Sequence, residues 1–541
     1  MVPDLPLFTD ERDKALRIFN RLRLPDVIGT PPMQEAAGDW FRDIVAALFG
    51  SYDAATNRRM VQELFLLVPK KNGKSSYSAA IMVVAMIMNR RPNAEFLLIA
   101  PTKQIADIAY NQARGIIEAD PELKKAFKKP QDHIRKITKY GTNATLQVKA
   151  ADTDAITGSK STGILVDETH EFAKKSNAAA VFVEVRGALA ARPDGFMIQI
   201  TTQSKEPPAG VFKSELALAR NVRDGQVRLP RMAVLYELPV DLAKDNGWKD
   251  RRYWPLVNPN LNRSVDLQFL ENALTAAEDP SAEEGALPLL ASQHFNVQVG
   301  VALQNDAWAG ARYWDGAADP TLTGLDALLE RSEVAVVGID GGGLDDLLGL
   351  AVLGRCRKTR DWLLWSHAWA HDDVLQRRKE IAPRLQDFAK AGDLTLCSDA
   401  TQDVREVADI VERVRDAGLL PEHDAVGVDA AGIAAVVDEL AGRGIAEPQV
   451  VAVSQGYRLH GAIAGAERKL KDGTLWHAGQ SLMAWSVGNA KVEMRGSAML
   501  ITKQTAGRAK IDPVSAMFNA VMLMSRNPQG VSAFDVEAWI G

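Results

Sequence analysis

Cysteine is almost missing from this 541-residue chain: Cys356 and Cys397 are the only two, and they form no Cys-x-x-Cys pair. That scarcity excludes a disulfide framework and a zinc finger and fits a reducing cytoplasm. The opening Met-Val-Pro-Asp-Leu-Pro has no basic stretch leading into an apolar core, so no signal peptide is expected. Long hydrophobic runs are lacking too. The longest, Ala79 to Met88, is about half of the ~20 residues that a bilayer span needs, and a buried helix accounts for it better. Excess positive charge is also absent. With a net charge of -5, the surface is not coated for nucleic acid, and any DNA contact has to come from local basic patches.

What is present is an ordinary globular composition, 46% hydrophobic and 25% charged, in a chain too long for one core. Two or more domains are expected. From Glu63 to Ser204, short apolar runs alternate with helical stretches. Strands are expected over Glu63 to Val68, Glu95 to Ala100, Ala144 to Ala151, Ile164 to Asp167 and Met197 to Thr201. Strands alternating with helices imply a mostly parallel sheet covered on both faces. The stretch from about Val211 to Asp315 reads as a helical subdomain plus linker. A second pattern starts near Glu333, with strands Val334 to Ile339, Leu348 to Gly354 and Trp362 to Ala370, the last two joined by the turn Arg355 to Asp361. Short connections make these an antiparallel meander, and helix and strand alternate after it.

The segment Val68-Pro-Lys-Lys-Asn-Gly-Lys-Ser75 carries the second half of a phosphate-binding loop, but Val68 stands where its first glycine belongs. Lys71, Asn72 and Gly73 lead into a helix from Lys74, whose N-terminal N–H groups suit phosphate oxygens. Lys74 would reach the β- and γ-phosphates of ATP and the Ser75 hydroxyl would bind Mg²⁺. Taken alone, the loop could equally be an Asn-Gly surface turn. The strand Gly163-Ile-Leu-Val-Asp-Glu168 decides the matter, because it ends in two carboxylates at the edge where α/β sheets place ligands. Asp167 can hold Mg²⁺, and Glu168 can act as general base toward the attacking water. Thr201-Thr202-Gln-Ser204 closes the next strand, either as a sensor of the γ-phosphate or as ordinary turn capping.

In the C-terminal half, Asp340 ends the first strand of the meander, with Asp345 and Asp346 just beyond it. Asp429 ends a later strand and Asp512 begins the last helix. Each alone is more simply a cap. Together they suit a site for two Mg²⁺ or Mn²⁺ ions, since hard cations need oxygen ligands. Basic residues cluster at Lys124, Lys125, Lys128, Lys129, Arg135, Lys136 and Lys139, and again at Lys503, Arg508 and Lys510. A further cluster, Arg355, Arg357, Lys358 and Arg360, lies on the meander hairpin and is expected beside the acidic site.

Four segments, 64–75, 163–170, 200–204 and 510–520, together resemble the large terminase subunit of tailed bacteriophages, and the similarity runs over nearly the whole chain. That resemblance implies a P-loop ATPase of the ASCE type over 1–210, a helical lid subdomain and linker over 211–330, and a ribonuclease-H-like α/β nuclease over 331–541. It implies ATP-driven movement of double-stranded DNA into the procapsid and metal-dependent cutting of concatemers. Carried over by position, Lys74 and Ser75 are Walker A residues, Asp167 and Glu168 Walker B, and Thr201 to Ser204 the coupling motif. Asp340, Asp429 and Asp512 match the nuclease acids, with Asp346 a fourth. The implied partners are the portal protein, a small terminase subunit and further copies of the chain in a ring, with no membrane. The implied location is the host cytoplasm and transiently the portal vertex, not the mature virion. An adenine contact is expected near Gln34 or Asp39 to Asp43, and an arginine finger among Arg186, Arg192 and Lys160. The rival readings are a helicase-like or restriction-type ATPase and a capsid assembly protein without nuclease activity.

Overall fold

Four of the five residues of Glu63-Leu-Phe-Leu-Leu67 are wholly buried, which requires a strand covered on both faces. The computed structural model describes residues 8–156, 158–244, 246–279, 281–282, 285–299, 308–342, 346–429, 434–495, 498–503 and 510–530. Gly343, Asp345, Ala430, Ile433 and Arg508 lie outside them. The chain divides into two compact units, Met1–Val299 and Gly300–Gly541.

The first unit is built on a seven-stranded sheet. In chain order its strands are β1 (Glu63–Leu67), β2 (Glu95–Ala100), β3 (Lys136–Thr138), β4 (Thr145–Ala150), β5 (Ser161–Asp167), β6 (Phe196–Thr201) and β7 (Arg231–Leu235), arranged β3-β4-β2-β5-β6-β1-β7. Every pairing is parallel except β3 with β4. Side chains alternate between two cores, as the two-residue period of a strand demands. Leu64 and Leu66 join Leu98, Leu165 and Ile198 beneath the helix Lys74–Met88. Phe65 and Leu67 face Phe212 and Leu216 of the helix Gly210–Arg223. The helix Lys74–Met88 is buried on nearly all sides because Phe19, Phe41 and Leu48 of two N-terminal helices close over its outer face. That burial explains the apolar run Ala79 to Met88. Strand β7 comes from the stretch read as helical in the sequence: its five residues carry no turn signals, and it completes the sheet beside β1.

The second unit has its own seven-stranded sheet. Its strands are β8 (Ser332–Gly341), β9 (Leu348–Cys356), β10 (Trp362–His371), β11 (Leu394–Cys397), β12 (Val426–Asp429), β13 (Val450–Val453) and β14 (Leu475–His477). Six run in the order β11-β10-β9-β8-β12-β13, and β14 pairs with β10. The β8-β9-β10 meander is antiparallel and the other pairings are parallel. A separate hairpin of β15 (Ala490–Arg495) and β16 (Ala498–Lys503) precedes the last helix. The expected turn Arg355 to Asp361 is shorter than anticipated, because Arg355 and Cys356 still pair within the sheet.

The basic hairpin is not beside the acids. Ser332 pairs with Cys356 at one end of β8 and Asp340 with Gly349 at the other. Eight residues at about 3.3 Å each put the two features ~26 Å apart. Arg355 and Arg360 instead pair with Glu333, and Arg357 donates to the Ser332 carbonyl, so these cations secure the start of β8.

The helix Asp512–Met524 lies across β8 and β9 at very close range. A Cβ on Gly338 would stand 2.0 Å from the Ala516 carbonyl oxygen and 2.5 Å from the Ala520 nitrogen. Both obstacles are backbone, so neither can turn aside. We expect Gly338→Ala to destabilise this unit by about 3 kcal/mol or more, as overpacking does. Denaturant unfolding followed by tryptophan fluorescence checks this, and an unchanged midpoint contradicts it.

Candidate ATPase and nuclease sites

Strand β1 does not stop at Leu67: the Val68 N–H donates to the Thr201 carbonyl of β6 at 3.1 Å. Position 68 is therefore still extended and fully buried, and an extended residue needs no glycine. The loop proper is Pro69 to Gly73. Gly73 takes a left-handed φ of 77° and caps the helix Lys74–Met88, and a Cβ there would meet the Tyr77 ring at 2.6 Å. Lys71 is also left-handed, at φ 70°. For a residue with a side chain this is a strained state, of the kind that collects at binding sites.

Asparagines hold the loop in place of the missing glycine. The Asn72 side chain is fully buried, donates to Asn258 Oδ1 at 2.8 Å and accepts from the Asn260 N–H at 3.0 Å. Asn260 Nδ2 donates to the Asn72 carbonyl and to the Tyr77 hydroxyl, while Trp40 Nε1 donates to Asn260 Oδ1. Ser264 donates to the Lys71 carbonyl, and the Lys70 N–H donates to the Gln293 carbonyl. The Asn72 side chain thus serves the scaffold, which leaves only its backbone for a phosphate. The sequence reading missed Asn258, Asn260 and Gln293, since they lie some 190 to 220 residues beyond the loop they hold.

Lys74 meets the end of β5. Its Nζ stands 2.9 Å from Glu168 Oε1, with side-chain exposures of 8% and 18%. Glu168 leaves the strand in the left-handed region, at φ 52°. Burial pushes its carboxyl up, but Lys74 and then His170 outweigh that and hold it well below the usual range. Asp167 shows the opposite balance: burial, reinforced by the Glu168 charge, raises it to about 7 against the opposing pull of Lys74 and the Ser75 hydroxyl. Both Asp167 carboxylate oxygens are buried without a well-formed hydrogen bond. A buried carboxylate facing a hydroxyl is a donor set that fits a hard divalent cation.

Thr201 and Thr202 are fully buried beside this pair. The Thr201 hydroxyl accepts the His170 N–H at 3.0 Å and donates to the Thr202 carbonyl, whereas the Thr202 hydroxyl has no partner among the described residues. Gln203 is held by Asn296 and Gln293. Arg186 is committed elsewhere: it pairs with Glu63 and Glu215 at the start of β1, the sheet edge opposite the loop. Arg192 donates to the Lys160 carbonyl. A cleft of about 520 Å³ opens next to Asn260, lined by Gly38, Asp39, Trp40, Pro259, Asn262 and Arg263. Gln34 is not among its walls.

In the second unit, Ile339 pairs with Val428 on parallel strands, so Asp340 and Asp429 end neighbouring strands side by side, about 4.8 Å apart at the backbone. Asp512 reaches the same edge, with its Oδ1 3.2 Å from where a Gly341 Cβ would be. Asp346 forms an ion pair with Lys510, whose side chain is 3% exposed. The two strand-end acids and the first residue of the last helix thus share one edge, yet among the described residues no group of three His, Cys, Asp or Glu is arranged to hold a metal ion. No helix among the described residues is long and apolar enough to cross a membrane.

Two family models match the chain: the ATPase domain of the terminase large subunit over residues 39–211 and its endonuclease domain over residues 235–527. The chain belongs to the terminase large subunit family. It is an enzyme with an ATPase and an endonuclease domain, the DNA-packaging motor and nuclease of its class. Among solved structures, the large terminase of bacteriophage HK97 is 17% identical, covering 94% of this chain and 99% of its own, with a TM-score of 0.44. The large terminase of a thermophilic bacteriophage, in complex with ADP, is 11% identical, covering 85% and 93%, with a TM-score of 0.31. The large terminase nuclease of thermophilic phage G20c, with bound magnesium, is 15% identical, covering 35% and 80%, with a TM-score of 0.23. No curated protein matches. The assignment rests on the two family matches.

The Asn260 side chain joins the Asn72 carbonyl, the Tyr77 and Ser264 hydroxyls and Trp40 Nε1, so Asn260→Ala leaves the buried Asn72 carbonyl and Trp40 Nε1 short of partners. Lost buried hydrogen bonds of this kind cost about 1–3 kcal/mol. We expect KM for ATP to rise about tenfold with a smaller change in kcat, measured by steady-state hydrolysis. A wild-type KM contradicts the scaffold role.

Proposed function

We propose that ATP binds with its phosphates on the Pro69–Ser75 loop and that its hydrolysis drives double-stranded DNA into a procapsid. The observation that carries this reading is the buried Lys74–Glu168 pair beside Asp167. Backbone N–H groups of Lys71, Asn72 and Gly73 face the phosphates, and Lys74 turns from Glu168 to the β- and γ-phosphate oxygens. Glu168, freed on one oxygen, takes a proton from the attacking water. Ser75 and Asp167 would hold Mg²⁺, which supplies charge neutralisation at the phosphates. Thr201 and Thr202 lie where the loss of the γ-phosphate is felt. The adenine base fits the cleft between Trp40 and Arg263, which Asn260 ties directly to the loop.

For cutting, Asp340, Asp429 and Asp512 would hold two Mg²⁺ or Mn²⁺ ions, with Asp346 kept next to them by Lys510. Ions held there would supply charge stabilisation to the attacking and leaving oxygens of the phosphodiester. The chain works as a ring of copies on the portal protein, with a small terminase subunit selecting the DNA. It acts in the host cytoplasm and leaves the portal vertex before the virion matures. Family membership supports these partners.

Lys74→Ala and Glu168→Ala should each lower ATP turnover by about 10²-fold or more, while plasmid cutting in Mn²⁺ by the same proteins persists. Asp340→Asn should do the reverse, and EDTA should stop both activities. Packaging into empty procapsids should fail for Lys74→Ala and Glu168→Ala. Wild-type hydrolysis by either of these variants, or undiminished cutting by Asp340→Asn, overturns the residue assignment.

A further inference from the structure

Neither the P-loop nor the coupling motif accounts for His170, two residues beyond the proposed base. Its side chain is 5% exposed, and its ring lies edge-on to Phe212 with centroids 6.2 Å apart. Nδ1 stands 3.2 Å from Glu168 Oε2 and 3.1 Å from Thr201 Oγ1. Nε2 stands 3.3 Å from Glu171 Oε1. The His170 backbone N–H also donates to Thr201 Oγ1, at 3.0 Å. Burial lowers the proton affinity of the ring, but the hydrogen bonds to Glu168 and Glu171 outweigh it and raise it above the usual value. One ring thus lies within ion-pair distance of the second oxygen of the base and of a neighbouring carboxylate, and hydrogen-bonds the first hydroxyl of the motif that closes β6.

The two oxygens of Glu168 are divided between the Lys74 ammonium and the His170 ring. Oε1 belongs to Lys74 and Oε2 to His170. On the reading proposed above, Lys74 leaves for the phosphates when ATP binds. A carboxylate at a left-handed turn, φ 52°, that has lost its only partner would be free to rotate; with His170 on Oε2 it keeps its aim while Oε1 opens toward the water. We infer that His170 is a positioning residue for ATP hydrolysis, holding the Glu168 carboxylate through Oε2 and linking its orientation to Thr201. The link runs both ways. A shift of Thr201 at the end of β6 moves the ring that aims the base, so the state of the coupling motif sets the rate of the chemical step.

This inference rests on Glu168 being the base, and the test separates the two. Steady-state ATP hydrolysis and ADP binding are measured on the full chain carrying His170→Leu, His170→Asn, Thr201→Val and the double variant His170→Leu/Thr201→Val. His170→Leu should lower kcat by about tenfold or more with KM and ADP affinity changed by less than about twofold. His170→Asn, whose amide nitrogen lies near the position of Nδ1, should recover a large part of that loss. The double variant should be no slower than His170→Leu, because both changes break one connection. In a Glu168→Ala background, His170→Leu should change nothing further. Wild-type kcat in His170→Leu, additive losses in the double variant, or a loss of ADP binding matching the loss of kcat each overturns the inference. Should His170→Leu fail to fold, His170→Asn against His170→Gln decides: Asn must turn over faster, and an equal or reversed order refutes it. If Glu168→Ala itself hydrolyses ATP normally, the reading beneath has failed instead.

Discussion

A lysine and a glutamate placed 2.9 Å apart in the interior of the first unit are what the proposed ATPase site depends on. Taking both charges out of water is costly, and removing either partner from such a pair costs about 3–5 kcal/mol. The pair therefore holds Lys74 and Glu168 in register until something of equal charge replaces one of them. A triphosphate is such a replacement for the carboxylate. Asp167 feels the same field with the opposite sign: it is buried beside a negative neighbour and its carboxyl is pushed up, which makes a divalent cation the natural partner for its charged form.

Around this pair the protein uses its buried polar groups to set geometry. The Asn72–Asn258–Asn260 cluster fixes a loop that lacks its usual first glycine, and Gln293 with Asn296 fixes Gln203. Every one of these asparagines and glutamines is at most 2% exposed. The asparagine amides among them have satisfied partners and specify one arrangement sharply, because any other leaves donors unpaired. Asn258, Asn260, Gln293 and Asn296 thus brace the loop and the end of β6, and their segments are not merely an appendage to the sheet.

Much of the fold was legible in the sequence. Apolar runs such as Glu63 to Val68 and Ile164 to Asp167 are strands buried on both faces, and such runs announce themselves. The meander was legible for the same reason, and the nearness of Lys74 to Asp167-Glu168 was legible because a loop and a strand end share a sheet edge. Short strands such as Lys136–Thr138 and Arg231–Leu235 were missed, since three to five residues carry too little periodicity to stand out. The hairpin arginines were misplaced because adjacency along a strand pair does not say which end of the strand is meant. His170, Asn258 and Asn260 were invisible as site residues. Their roles come from contacts across 31 to 188 positions of sequence, and no local pattern encodes these.

The central claim is that the Lys74–Glu168 pair opens when the phosphates arrive while His170 keeps its hold on the base. A crystal structure of the full chain with Mg²⁺ and a non-hydrolysable ATP analogue tests it most directly. The account predicts Lys74 Nζ on β- and γ-phosphate oxygens, clear of Glu168, with Glu168 Oε2 still on His170 Nδ1. A nucleotide bound with the Lys74–Glu168 pair intact contradicts it.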